Sequence, residues 1–189
     1  MRMRISGGAH RGRRLRSPRG RRTRPTSALL RQVVLNVLGA RLPEARLLDL
    51  CAGTGAVGLE ALSRGAAHVT FVERDPAALA SLRENLESLH LQERAAVMAG
   101  DVEAALARLR DTGARFDGVF LDPPYESALA LRCIEMLAPG DLLRENAVLI
   151  VQAFHKTVLP ARAGVLDLQW RRRYGESSLA LYIRERACS

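Results

Sequence analysis

From Arg46 onward the chain alternates short apolar runs with longer helix-patterned stretches, and that alternation leaves few folds open to it. Leu47–Cys51, His68–Glu73, Ala95–Ala99, Phe116–Leu121 and Ala147–Ala153 read as strands. Between them Val57–Arg64, Pro76–Leu89, Val102–Arg110 and Ala128–Leu137 carry the helical period, with Asp75 as a cap before Pro76. Strands that are apolar along their whole length are buried on both faces, so repeated βα units of this kind imply a parallel sheet covered on both sides. Val165–Tyr174 and Leu179–Ile183 follow, separated by Gly175 with no helix between them. They read as an antiparallel hairpin closing one edge. The expectation is one α/β domain with a mostly parallel, seven-stranded sheet, and 189 residues suffice to bury its core.

The segment before Arg46 has a different character. Met3–Ile5, Gly7-Gly8 and Arg11–Leu15 suggest a small basic β-hairpin, and Ser17–Gly20 a loop. Arg24-Pro25-Thr26 opens a helix, capped by Thr26 or Ser27, whose apolar positions run from Leu29 to Val37 before Gly39 stops it. The formal net charge is +9, and residues 1–43 hold 12 arginines and no acid. The remaining residues hold 17 Lys+Arg against 20 Asp+Glu, so the whole excess lies in the first quarter. Lys156 is the one lysine; a bias towards arginine explains the choice of cation but not the missing acids. A basic arm on a nearly neutral body points to a polyanion contacted at one end. Arg11, Arg13, Arg14, Arg16 and Arg24 are the candidate phosphate contacts.

Other classes fit less well. No apolar run is long enough to span a bilayer, and the N-terminus lacks the apolar centre of a secretory signal. Its arginine content is that of an organelle transit peptide, but the segment reads better as structure, and a cytoplasmic protein is expected. Cys51, Cys133 and Cys188 are odd in number and lack CxxC spacing, which disfavours disulfides and zinc. The four histidines do not pair at ligand spacing, so no metal is expected.

The loop after the first strand, Asp49-Leu50-Cys51-Ala52-Gly53-Thr54-Gly55-Ala56-Val57-Gly58, carries the first chemistry. Gly53 and Gly55 allow backbone to lie against a ligand, and Gly58 lets the next helix pack closely on the strand. The loop lies at the carboxyl ends of the strands, where open α/β sheets bind ligands. Gly53 to Gly58 also match the dinucleotide string, which aims a helix N-terminus at pyrophosphate. Asp49 would repel pyrophosphate but suits the ammonium of a methionine moiety, which favours S-adenosylmethionine. Glu73, ending the second strand, can accept from ribose hydroxyls, and Asp101, after the third, from the adenine amino group. Each also reads as an ordinary acid at a helix start. Their registration at three successive strand ends favours a cofactor site comprising Asp49, Ala52, Gly53, Thr54, Gly55, Glu73, Asp101 and Val102.

Asp122-Pro123-Pro124-Tyr125 leaves the fourth strand. An exocyclic amino nitrogen on a nucleic-acid base is a poor nucleophile, because its lone pair is delocalised into the ring. The Asp122 carboxylate and the Pro123 carbonyl can accept from its two N–H groups and so orient the nitrogen. A carboxylate also stabilises the positive charge that grows there. Pro124 stiffens the loop and Tyr125 can stack on the base. A base in structured nucleic acid must be swung out to reach such a site.

These two motifs resemble those of class I S-adenosylmethionine-dependent amino-methyltransferases. Arg4-Ile5-x-Gly7-Gly8, Arg11-Gly12-Arg13, Arg24-Pro25-Thr26, Gly58–Ala66 and Tyr174-Gly175 are more closely similar to the bacterial small-subunit ribosomal RNA guanine-N2 methyltransferases of the D type. The resemblance implies a Rossmann-like methyltransferase fold, with residues 1–25 as an RNA-docking arm and 26–189 as the methyltransferase domain. It implies N2 methylation of one guanine in ribosomal RNA, in an assembling or assembled small subunit, by an enzyme expected to be a monomer. The chain departs from the family pattern at Gln32 and Gln152, where Glu is usual, and at Leu35, where Phe is usual. An adenine-N6 methyltransferase would use the same Asp-Pro-Pro-Tyr motif. A non-catalytic RNA-binding assembly factor and a nicotinamide-dependent dehydrogenase are the readings from other classes.

Overall fold

The structure is a computed structural model that describes residues 3–18, 28–124 and 128–185. The alternation of apolar runs resolves into β1 (Arg46–Leu50), α2 (Ala56–Ser63), β2 (His68–Glu73), α3 (Pro76–Ser88), β3 (Ala95–Ala99), α4 (Val102–Asp111), β4 (Phe116–Leu121), α5 (Leu129–Leu137) and β5 (Leu143–Phe154). Helix α1 (Ala28–Leu38) precedes them; β6 (Arg162–Ala163), β7 (Leu166–Tyr174) and β8 (Ser177–Arg184) follow. The sheet runs β3-β2-β1-β4-β5-β8-β7-β6. The first five strands are parallel, and β8 and β7 add on as the antiparallel hairpin. The seven expected strands are present, and the two-residue β6 adds an eighth by pairing with the start of β7.

Alternate strand residues feed two separate cores, which is why the strands are apolar throughout. Leu47, Phe71, Phe120 and Ile150 pack with α1, α2 and α3 on one face. Leu48, Leu50, Val72 and Val151 pack with α4 and α5 on the other. Gly58 shows how tightly the first face is closed, since a Cβ there would collide with the Phe71 ring and Val69.

The N-terminal hairpin is narrower than expected. It has one β-bridge, Arg4 to Arg14, with Ile5 N–H donating to Arg13 O at 3.0 Å and Leu15 N–H to Met3 O at 3.0 Å. Its inward residues, Ile5 and Leu15, belong to the same buried cluster as α1 and α2. The carboxylate of Glu60, wholly buried in α2, fixes the hairpin by accepting from the backbone N–H groups of Ser6 and Gly7, each at 2.8 Å. Arg31 of α1, also buried, lies 3.6 Å from that carboxylate and donates to Arg4 O at 3.2 Å. The helix opening at Arg24–Thr26 and its cap lie outside the described residues.

Candidate active site

The carboxyl ends of β1, β2 and β4 bring three acids to one edge of the sheet. Asp49 lies inside β1, 3% exposed, and its Oδ2 accepts from Gly58 N–H at 3.0 Å. Burial pushes the Asp49 carboxyl up to about 7; the Gly58 bond opposes the shift, and the charges of Asp122 and Glu73 reinforce it. A buried carboxylate so placed is stabilised by any cation that reaches it.

Beyond Asp49 the chain turns sharply, with Cys51 at φ 60 and Gly53 at φ 57. A Cβ on Gly53 would meet nothing within 4 Å, so the loop faces open space there. Ala52 N–H donates to Val72 O at 3.0 Å, tying the loop to β2. Thr54 O accepts from Asn85 Nδ2 at 3.1 Å. The same amide accepts from Arg16 N–H at 2.7 Å and donates to Arg16 O at 3.1 Å. Asn85, wholly buried in α3, thus joins the basic hairpin to the Gly-rich loop.

The acids after β2 and β3 separate into different roles. Asp75 caps α3, its side chain accepting from Ala78 N–H at 2.9 Å. Glu73 is not a cap. Its Oε2 accepts from Gly53 N–H at 2.7 Å, and its Oε1 from Arg74 and Asp75 N–H, each at 2.8 Å. Three donors leave a lone pair free on Oε2, on the side of the Gly-rich loop. Asp101 holds the cap position of α4 without making a side-chain cap bond, and its carboxylate is 71% exposed beside Arg74. Val102 is buried behind it. The plain helix-start reading therefore fits Asp75, and by position Asp101, but not Glu73.

Asp122 follows β4, its N–H donating to Leu50 O at 3.3 Å, which brings its loop against the end of β1. Pro123 is buried and Pro124 exposed. Tyr125 and Arg24 lie outside the described residues. Arg11, Arg13, Arg14 and Arg16 are exposed on the hairpin. Arg13 donates to Ser88 O at 2.6 Å, and Arg16 pairs with Glu84 at 3.0 Å. Arg13, Arg14, Arg16 and Ser88 line a cleft of about 550 Å³ between hairpin and α3.

Sequence reasoning misses two residues that tie the hairpin to the body, Glu60 and Asn85. Glu60 had a signal, as the one charged residue in α2. Asn85 had none, because an Asn within a polar helical stretch reads as solvated.

A mostly parallel sheet, a Gly-rich loop opening on unfilled space, and acids at successive strand ends define a class I S-adenosylmethionine-dependent methyltransferase. Residues 3–183 match the family described as conserved hypothetical protein 95, and the chain belongs to it. It is 34% identical to Escherichia coli "Ribosomal RNA small subunit methyltransferase D", the match covering 97% of this chain and 90% of that protein. It is 36% identical to a Bacillus subtilis protein named as a candidate rRNA methyltransferase, over 95% of this chain and 98% of that one. The solved structure of an Escherichia coli protein named as a candidate methyltransferase superposes with a TM-score of 0.86 at 34% identity, covering 98% of this chain and 99% of that one. Among the described residues no helix is long and apolar enough to cross a membrane.

Proposed function

We propose that this enzyme methylates the exocyclic N2 amino group of a guanine in small-subunit ribosomal RNA. The observation that carries this reading is the seat of Asp122-Pro123-Pro124 against the end of β1, one strand from the Gly-rich loop. The printed names of the relatives in Escherichia coli and Bacillus subtilis support the choice of ribosomal RNA. The charge of the arm supports a nucleic-acid substrate.

S-adenosylmethionine, when bound, supplies an electrophilic methyl on a sulfonium. The open space beside Gly53 suits its body, buried Asp49 its ammonium, the free lone pair of Glu73 Oε2 a ribose hydroxyl, and exposed Asp101 the adenine amino group. Asp122 and the Pro123 carbonyl accept from the two N–H groups of the target nitrogen and so aim its lone pair. As the nitrogen becomes cationic, the Asp122 carboxylate stabilises it. An aromatic ring such as that of Tyr125 offers the chemistry to stack on a base.

Methyl transfer to small subunits purified from cells lacking the enzyme, followed by nucleoside analysis, tests this reading. N2-methylguanosine is expected; N6-methyladenosine would replace it with the adenine alternative. Asp122→Ala is expected to keep cofactor affinity within about twofold and to slow transfer on the order of a hundredfold or more. Asp122→Asn should retain more activity than Ala, since its amide oxygen still accepts. Normal turnover by Asp122→Ala would remove Asp122 from the mechanism.

A further inference from the structure

Gln152 stands out among the buried polar groups. It lies in β5, 4% exposed, and its side-chain Oε1 is buried without a hydrogen-bond partner among the described residues. A buried acceptor left unpaired costs stability, so it calls for an explanation, and a ligand that completes it is one.

Its position says which ligand. Leu121, the last residue of β4, is paired with Val151 of β5, so Asp122, the first residue after β4, and Gln152 of β5 each follow a member of that pair. Val148 and Ile150 point into the core formed with α1 and α2, and Gln152, paired with Leu179 of β8 in the same core, continues that alternation; Asp122 lies near enough to Asp49 for its charge to act on that carboxyl. Asp49 shares this face one step below, in a row with Phe120 and Ile150. Gln152 therefore sits beside the carboxylate assigned to the target amino group.

We propose that Gln152 reads the methylated base, its Oε1 accepting the N1–H of guanine; this rests on the guanine reading above. On that edge guanine presents three hydrogens, two on N2 and one on the adjoining N1. Asp122 and the Pro123 carbonyl take the first two, and Oε1 is the third acceptor. Adenine presents a lone pair at N1 beside its amino group. Facing Oε1, that lone pair would leave two acceptors opposed, so the same contact rejects adenine. The motif Asp-Pro-Pro-Tyr makes no such distinction, which gives Gln152 the discriminating role.

The test uses Gln152→Leu, which removes the acceptor at similar volume, and Gln152→Glu, which keeps acceptors and removes the amide donors. The substrate is small subunits from cells lacking the enzyme. S-adenosylhomocysteine affinity is measured by calorimetry, and melting temperature in parallel. Gln152→Leu is expected to lower kcat/KM at least tenfold while S-adenosylhomocysteine binding stays within twofold. Its melting temperature should be equal or higher, because an unpaired buried acceptor has been removed. Gln152→Glu should keep most of the activity. Wild-type turnover by Gln152→Leu would overturn the proposal. So would a loss of activity in step with lowered melting temperature and cofactor affinity, which is the signature of a structural residue. Inactivity of Gln152→Glu would show that the amide donates to the base and would equally overturn it. A wild-type product of N6-methyladenosine would refute the guanine reading itself, a result separate from all three.

Discussion

Asp49 and Glu73 do different work although both are acids at strand ends. Glu73 is already engaged by three backbone N–H groups, so it shapes the Gly-rich loop, and the proposal gives its remaining lone pair to a ribose hydroxyl. Glu73→Ala should weaken S-adenosylmethionine binding tenfold or more, the scale of one charge-assisted hydrogen bond of about 1.5–3 kcal/mol. Calorimetry showing unchanged affinity would remove Glu73 from the cofactor site. Asp49 is the pH-sensitive member, with its carboxyl raised to about 7 by burial. A ligand ammonium binds the ionised form. Below about pH 7 the free protein holds Asp49 protonated and must lose that proton on binding. Affinity should therefore fall as pH drops from 8 to 6, by up to about tenfold per unit below the carboxyl's value. Calorimetry in buffers of different ionisation enthalpy should detect proton release near pH 7. Binding that is flat across this range would place the ammonium elsewhere. Asp49→Asn should bind weakly but without this pH dependence.

At the scale of elements, what the sequence made legible follows from how sharply each pattern is bounded. The patterns at His68–Glu73, Ala95–Ala99 and Phe116–Leu121 coincide with β2, β3 and β4 residue for residue, because turn residues or acids end each apolar run. The apolar pattern predicts β5 from Ala147, yet it begins at Leu143. Arg144-Glu145-Asn146 break the apolar pattern, and the strand absorbs them through a register shift against β4, with Asn146 at φ 59. The two residues of β6 are too few to show a period. The Gly-rich loop and Asp122 were legible because their chemistry is local. Glu60 and Asn85 were not, because their partners in the hairpin lie 53 to 69 residues away in sequence. Glu60 gives the clearest stability prediction. Glu60→Ala would leave Arg31 buried without its counter-charge and the N–H groups of Ser6 and Gly7 without acceptors. Removing one partner of a buried pair costs about 3–5 kcal/mol. Urea unfolding should show a loss of that size, and a loss under about 1 kcal/mol would mean that water replaces the carboxylate freely.

The molecule as a whole joins a nearly neutral catalytic body to a basic hairpin, and the structure sharpens what that hairpin can do. Its apolar side, Ile5 and Leu15, is spent on the core, and its backbone is held by Glu60 and Asn85. The arginines are left on the outer side, where Arg13, Arg14 and Arg16 line one cleft against α3. Arg16 meets Glu84 there, but both side chains are more than half exposed, so that pair is worth little and a phosphate can displace it. A guanidinium presents a planar fork of donors that matches phosphate oxygens. Each phosphate neutralised releases counterions, so affinity for RNA should fall with salt by about 0.7–0.9 log units per log unit for every contact. Replacing Arg13, Arg14 and Arg16 together by Gln removes up to three contacts. The slope should flatten by about two units on that scale, and KM for small subunits should rise. S-adenosylhomocysteine affinity should change little, because the side chains of Arg13 and Arg16 engage Ser88 and Glu84 of α3 rather than the residues proposed to hold the cofactor. Arginines that serve only solubility predict something else: parallel salt slopes for wild type and variant, with an unchanged KM. RNA binding measured for both proteins across a salt series separates the two, and parallel slopes would move the docking surface away from this hairpin.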